Sequence, residues 1–179
     1  MTAETVWILT VFLALWAGAL DWRYRRIPNW LTVTGLVAGI VVNSAVGGWP
    51  GLRASLLGAG LGLLVLLPFV VLRALGAGDW KLVGALGAFL GPGRLADVLI
   101  AAVIVAGVMA LVLVIARGRF GETLRNMGHL LRSLATLQKP DAAVSLDSPN
   151  STKVPFGVAV AVAVLLYAAV HAWQSMGRA

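Results

Sequence analysis

Apolar residues run through this chain in long blocks, and what separates the blocks is short: a basic cluster, a glycine-proline turn, a glycine-aspartate turn. The blocks predict an all-α, glycine-rich polytopic membrane protein of about six transmembrane helices, over 5–20, 29–45, 56–75, 79–91, 96–116 and 154–173. Gly58 and Gly62 form a GxxxG face for close helix packing, and Pro68 is placed to kink the third block. The fourth block is short. Its thirteen residues rise ~20 Å against a hydrocarbon core of ~30 Å. It therefore starts with Asp79 below the membrane surface, or re-enters, and its Gly84, Gly87, Ala88 and Gly91 leave it small enough to pack on a neighbour.

The breaks carry their own signals. Arg23, Arg25 and Arg26 follow the first block, and Ile27-Pro28-Asn29 opens the second, with proline where a helix has no use for its N–H and Asn29 as the expected cap. Ala17-Gly18-Ala19 imitates a signal-cleavage site, but the basic cluster lies after the apolar run rather than before it, so the first block is expected to stay as a span. Gly47-Gly48-Trp49-Pro50-Gly51 reads as an outside turn, and Pro92-Gly93-Arg94 closes the fourth block. The one long connection is 117–153. In its first half Phe120, Leu124, Met127, Leu131 and Leu134 alternate with Arg125, His129 and Arg132, the pattern of an amphipathic helix lying on a membrane, and 139–153 reads as open loop.

Composition fixes the solvent and redirects the charge. With 60% hydrophobic and 12% charged residues and a mean hydropathy of +0.92, a soluble domain is excluded. A net charge of +7 would point to nucleic acid in a soluble chain; here the placement of the charges gives them another role. Arg23, Arg25, Arg26, Arg73, Lys81, Arg117, Arg119, Arg125, Arg132, Lys139 and Lys153 fall on one side of the six-span map and only Arg53, Arg94 and Arg178 on the other. The positive-inside rule then puts the 117–153 loop in the cytoplasm and both termini outside, with anionic lipid as the partner of the basic side and no nucleic acid. The absence of cysteine excludes a thiol nucleophile and thiolate-bound zinc. No metal or cofactor is expected.

Seven acids remain to be sorted. Glu4 is terminal, Asp97 lies in the first turn of the fifth span where the helix dipole favours an acid, and Glu122, Asp141 and Asp147 belong to the long loop. Asp21 and Asp79 are different: each stands at a cytoplasmic boundary of a span, where an acid is costly and so marks function. Asp79 follows Gly76-Ala77-Gly78, a turn stripped of side chains that lets a second segment or an extended substrate approach. Two carboxyls sharing such a site split their proton affinities, so that one activates water while the other hydrogen-bonds the carbonyl under attack. Lys81 either biases this pair or snorkels to the interface.

On these residues the chain resembles the type IV prepilin peptidases, a family of GxGD membrane aspartyl proteases. The resemblance rests on Asp21 followed by Ile27-Pro28-Asn29, on Gly76-Ala77-Gly78-Asp79-Trp80-Lys81-Leu82, and on Val154-Pro155-Phe156-Gly157 at the last span. It implies one membrane-embedded peptidase domain over 1–179, with Asp21 and Asp79 as the catalytic pair and Gly76, Gly78, Lys81, Pro28, Asn29, Pro155 and Gly157 supporting it. The implied substrate is a prepilin-like protein, cut at the cytoplasmic face of the inner membrane to remove its leader in pilus biogenesis. Without the cysteine-bearing N-terminal portion of longer relatives, the chain looks like the peptidase-only form, with no methyl transfer expected. The alternatives are a small transporter, whose sites would lie near the bilayer midplane between inverted repeats, and a noncatalytic assembly factor, which needs no boundary acids.

The map has a direct check. Single cysteines placed at Ser145 and at Gly48 of this cysteine-free chain are expected to react with an impermeant reagent from opposite sides of the membrane. Labelling from one side would overturn the six-span arrangement.

Overall fold

The computed structural model describes residues 3–72, 74–116 and 154–176, together with Gly118, Gly121 and Gly128. These residues form α1 (Ala3–Tyr24), α2 (Asn29–Val71), α3 (Ala77–Ala116) and α4 (Phe156–Met176), with no strand among the described residues. All four are long and apolar enough to cross a membrane. Arg73, the expected surface helix in the first half of the long connection and the loop behind it lie outside the described residues.

Two of the helices are too long for one crossing. The 43 residues of α2 and the 40 of α3 would rise about 60–65 Å as straight rods, twice the ~30 Å hydrocarbon core. Each is broken at a glycine of positive φ: Gly48 (φ 59°, ψ −141°) in α2 and Gly91 (φ 73°, ψ 175°) in α3, a conformation in which a side chain is strained. Both breaks reverse the chain. A Cβ on Gly51 would fall on the Asn43 carbonyl, and Ser55 Oγ reaches the Gly39 carbonyl at 3.4 Å, contacts that a straight helix forbids. In α3, Val83 and Leu95 from the two arms meet around the same Gly62 of α2. Pro50 and Pro92 each stand in the first turn after a break, where a missing N–H deprives no helical carbonyl of the new arm.

The old arm does lose partners. Pro92 has no N–H for the Ala88 carbonyl, and past the break the ladder cannot serve Phe89. Two polar residues of α2 supply the missing donors: Asn43 Nδ2 donates to the Ala88 and Phe89 carbonyls at 2.8 Å each, and Ser55 Oγ, fully buried, donates to Ala88 at 2.6 Å. In lipid no water is present to do this.

The arm so capped is the centre of the bundle. Every residue from Leu82 to Gly91 is buried, an all-round apolar helix that meets protein on every face. Its short length is tolerated for that reason: it is surrounded by helices rather than matched to lipid. Gly58 and Gly87 touch backbone to backbone, since a Cβ on either would fall on the carbonyl of the other. On the other flank α1 and α4 meet at Gly18, where a Cβ would stand 2.8 Å from that of Ala161, and Ala14, Ala17, Ala159 and Ala163 of these two helices are buried. Outward-facing Ile8, Phe12, Leu64, Ile100, Val103 and Ile104 stay exposed in the isolated chain, a surface made for lipid.

At the end of the bundle where α2 and α3 bend, aromatic rings tie three helices together. Trp7 of α1 stacks on Tyr167 at 5.8 Å and lies 5.3 Å from His171, both of α4, while Arg94 of α3 sits 5.4 Å over the Trp7 ring. Tyr167 donates to Asp97 at 3.3 Å, so the acid read as a dipole partner also has a side-chain bond. Asp21 is two-thirds of α1 away from this cluster, ~21 Å along the axis.

Helix ends differ from the expected blocks by several residues. α1 continues past Leu20 through Arg23, the first of the basic cluster, to Tyr24, and the second arm of α2 begins at the bend rather than at Leu56. The bend is at Gly48 itself, so Gly47, with nothing within 4 Å of its Cβ position, is the better site for a labelling cysteine.

Asn43→Leu should destabilise the protein by about 1–3 kcal/mol by leaving two carbonyls bare, read as a lower midpoint of thermal unfolding in detergent. Ser44→Ala is the control, because among the described residues Ser44 Oγ bonds to the Ile40 carbonyl of its own helix. Equal effects of the two substitutions would remove Asn43 from its role.

Candidate active site

The last turn of α1, the first turn of α2, the first turn of α3 and the first turn of α4 come together at one end of the bundle. Asp21, in the last turn of α1, is 7% exposed. The helix closes with an Arg25 N–H to Asp21 carbonyl bond of 2.9 Å, and Arg25 then takes a left-handed conformation (φ 54°) that turns the chain. Within the basic cluster's wake one apolar residue turns inward: Ile27, 8% exposed. Being followed by proline it is held extended.

Pro28 (φ −66°, ψ 144°) is the residue that opens α2, and its carbonyl accepts from the Leu31 and Thr32 amides. Asn29 is therefore the first helical residue and not the cap, and no side chain caps this helix. The freed amide group does something else. Its Oδ1 accepts from Lys81 Nζ at 2.9 Å, joining the start of α2 to α3. Of the two readings of Lys81, the geometry gives neither in pure form: its ammonium is engaged by Asn29 at the exposed rim of the site.

Asp79 lies in the first turn of α3, anchored by Trp80, whose Nε1 donates to the Leu63 carbonyl at 2.7 Å and whose amide closes on Gly76 at 3.2 Å. Gly78 is pressed on Ile27: a Cβ there would lie 3.1 Å from the Ile27 carbonyl and 3.2 Å from its Cβ. On the opposite side Gly157 is pressed on the same residue, its Cβ position 3.0 Å from Ile27 Cδ1 and 3.0 Å from both Asp21 Cβ and Oδ2. Ile27 is thus the wedge between the glycine-aspartate turn and the start of α4. Its role is not readable from the motif; the available signal is an apolar residue set between arginines and a proline.

Pro155, buried, opens α4 by accepting from the Val158 and Ala159 amides, which leaves the Gly157 N–H pointing out of the helix end. That N–H donates to Asp21 Oδ2 at 2.9 Å. The Val158 amide and the Arg25 guanidinium also act on this carboxyl. Asp79 is bonded by the Gly76 backbone and lies within electrostatic reach of Asp21. Its Oδ1 is buried and has no hydrogen-bond partner among the described residues. Asp21, Asp79, Gly76, Gly78 and Gly157 are therefore assembled around Ile27, while Pro28, Asn29 and Lys81 form the rim. Two carboxyls within electrostatic reach of each other, one oriented by backbone donors and one with a free oxygen, are equipped for proton transfer to and from a molecule entering between them.

Comparison with known proteins converges on the same region. A family described as "Type IV leader peptidase family" matches residues 7–114, a stretch that contains both acids. A "Prepilin leader peptidase/N-methyltransferase" of Myxococcus xanthus (strain DK1622) is 32% identical over 126 residues, which cover 66% of this chain and 37% of that protein. The chain thus spans little more than a third of this relative's length. No solved structure matches.

Asn29→Ala and Lys81→Met should each lower the unfolding midpoint slightly and fail to add in the double variant, since both delete one bond at an exposed rim. The coupling is expected at about 0.2–1 kcal/mol; strictly additive losses would mean the two side chains do not act together.

Proposed function

Because this chain belongs to the type IV leader peptidase family, we propose that it is an aspartyl endopeptidase that removes the leader from prepilin-like proteins at the cytoplasmic face of the inner membrane. The observation that carries this reading is the convergence of Asp21 and Asp79 from opposite ends of separate helices, with glycine at each point where a side chain would intrude. The peptide bond to be cut lies between the acids. One carboxylate takes a proton from water as the water oxygen attacks, the protonated partner hydrogen-bonds the carbonyl, and the amine leaves with a proton returned from the pair. The bare backbone of Gly76 and Gly78 gives an extended segment room to approach.

Supporting the orientation, Arg23, Arg25, Arg26 and Lys81 stand at the site's end of the bundle while Arg53 and Arg94 stand at the bends, the asymmetry that faces the site to the cytoplasm. Six crossings follow if each arm of α2 and α3 crosses once; the reversals at Gly48 and Gly91 favour this. The Myxococcus relative's name also contains a methyl-transfer activity, and only the peptidase activity enters this proposal. Anionic lipid is the proposed neighbour of the basic side.

Asp21→Asn and Asp79→Asn should each lower leader cleavage by a factor on the order of 10² to 10⁴, with the double variant little worse than either because the acids act as one unit. Both proteins should remain in the membrane, Asn being uncharged and nearly isosteric. Asp97→Asn, at the far end beside Tyr167, should keep its activity. Purified protein and a prepilin-like substrate in detergent supply the assay; substantial cleavage by either dyad variant at matched protein level would sink the aspartyl mechanism.

A further inference from the structure

The two acids differ in what holds them. Asp21 Oδ2 accepts the Gly157 N–H at 2.9 Å, and the Val158 amide acts on the same carboxyl. Both belong to the first turn of α4, whose amides carry the positive end of the helix dipole, although the Val158 amide also closes on the Pro155 carbonyl at 3.1 Å. Such donors favour a carboxylate over a carboxylic acid. Asp79 is also near a helix start, but it receives only the Gly76 backbone, and its Oδ1 is buried without a partner among the described residues. An ionised oxygen left bare away from water is far more costly than a neutral acid.

The charges around the pair point the same way. Facing Asp21 from the turn just past α1 is Arg25, and from α3 the other acid. The first turn of α4, Phe156-Gly157-Val158, contributes backbone only, and Lys81 is turned to Asn29. Asp79 is desolvated by burial and has the Asp21 carboxyl within electrostatic reach. Two such acids do not ionise together.

Resting on the dyad reading above, we infer that Asp21 is the ionised member that takes the proton from water, that Asp79 is the protonated member facing the scissile carbonyl, and that the Gly157 amide is the positioning group that sets this order. The step balances. Water oxygen bonds to the carbonyl carbon, its proton passes to Asp21, and the Asp79 proton passes to the carbonyl oxygen. On collapse the C–N bond breaks, Asp21 returns its proton to the leaving nitrogen, and one hydroxyl of the diol re-protonates Asp79. Both acids end as they began.

The test reads kcat/KM for leader cleavage against pH. In the wild type the acid limb reports ionisation of Asp21 and the alkaline limb loss of the Asp79 proton. Gly157→Ala puts a Cβ 3.0 Å from Asp21 Oδ2 and pushes the donor away. Losing a bond to the ionised form makes ionisation harder, so the acid limb should move to higher pH by about one unit, a tenfold loss of kcat/KM below it, with the alkaline limb in place. Gly76→Ala, whose Cβ would lie 3.0 Å from Asp79 Oδ2, should move the alkaline limb and leave the acid limb alone. If Gly157→Ala is not recovered from membranes, Gly157→Ala with Ile27→Val carries the test, since valine lacks the Cδ1 that is the third close contact.

Movement of the alkaline limb by Gly157→Ala would reverse the assignment. An equal loss at every pH would reduce Gly157 to a structural glycine and overturn the inference as well. Either result leaves the dyad itself standing, because that reading falls only if Asp21→Asn or Asp79→Asn continues to cleave.

Discussion

A carbonyl freed inside a bilayer has no water to bond to, and the reversal at Gly91 frees two of them. Asn43 and Ser55 answer those carbonyls from α2, and the rest of the architecture depends on that exchange. It permits α3 to turn back, which encloses the arm from Leu82 to Gly91 among its neighbours. An enclosed arm cannot slide or tilt to suit the lipid. Its first turn, with Asp79, is thereby fixed against Ile27, and Ile27 in turn fixes the distance to α4. The chain of constraint runs from a bend at one end of the bundle to a carboxyl at the other.

Much of this was legible in the order of residues. Blocks of apolar positions located the helical segments, and the glycine-aspartate turn and Asp21 stood out because an acid at a membrane boundary needs a reason. Helix ends were less legible. Hydropathy falls at Leu20, but backbone bonding continues through Tyr24 because Arg23 and Tyr24 are tolerated in a helix once it leaves the apolar layer. Asn29 has the residue type of a cap, but the preceding proline already holds the extended angles a cap requires, which composition does not reveal.

What stayed hidden was tertiary. Ile27 acts only through what packs on both of its sides, and the amide that reaches Asp21 belongs to backbone, which has no letter of its own. Asn43 and Ser55 did carry a visible signal, polar residues placed near a turn in apolar surroundings, but their partners are carbonyls of a break more than thirty positions away. Of the two adjacent glycines at the first bend, only backbone angles distinguish Gly48 from Gly47.

The bond from Gly157 to Asp21 joins positions 136 residues apart, and this separation has a meaning for biosynthesis. Helices enter the membrane as they are translated, and α1, α2 and α3 are made first. On the proposed reading, a nascent chain that has inserted those three holds both acids but lacks the donor that orients one of them. The pair therefore takes its proposed working order only when α4, the last of the described helices to be made, has docked.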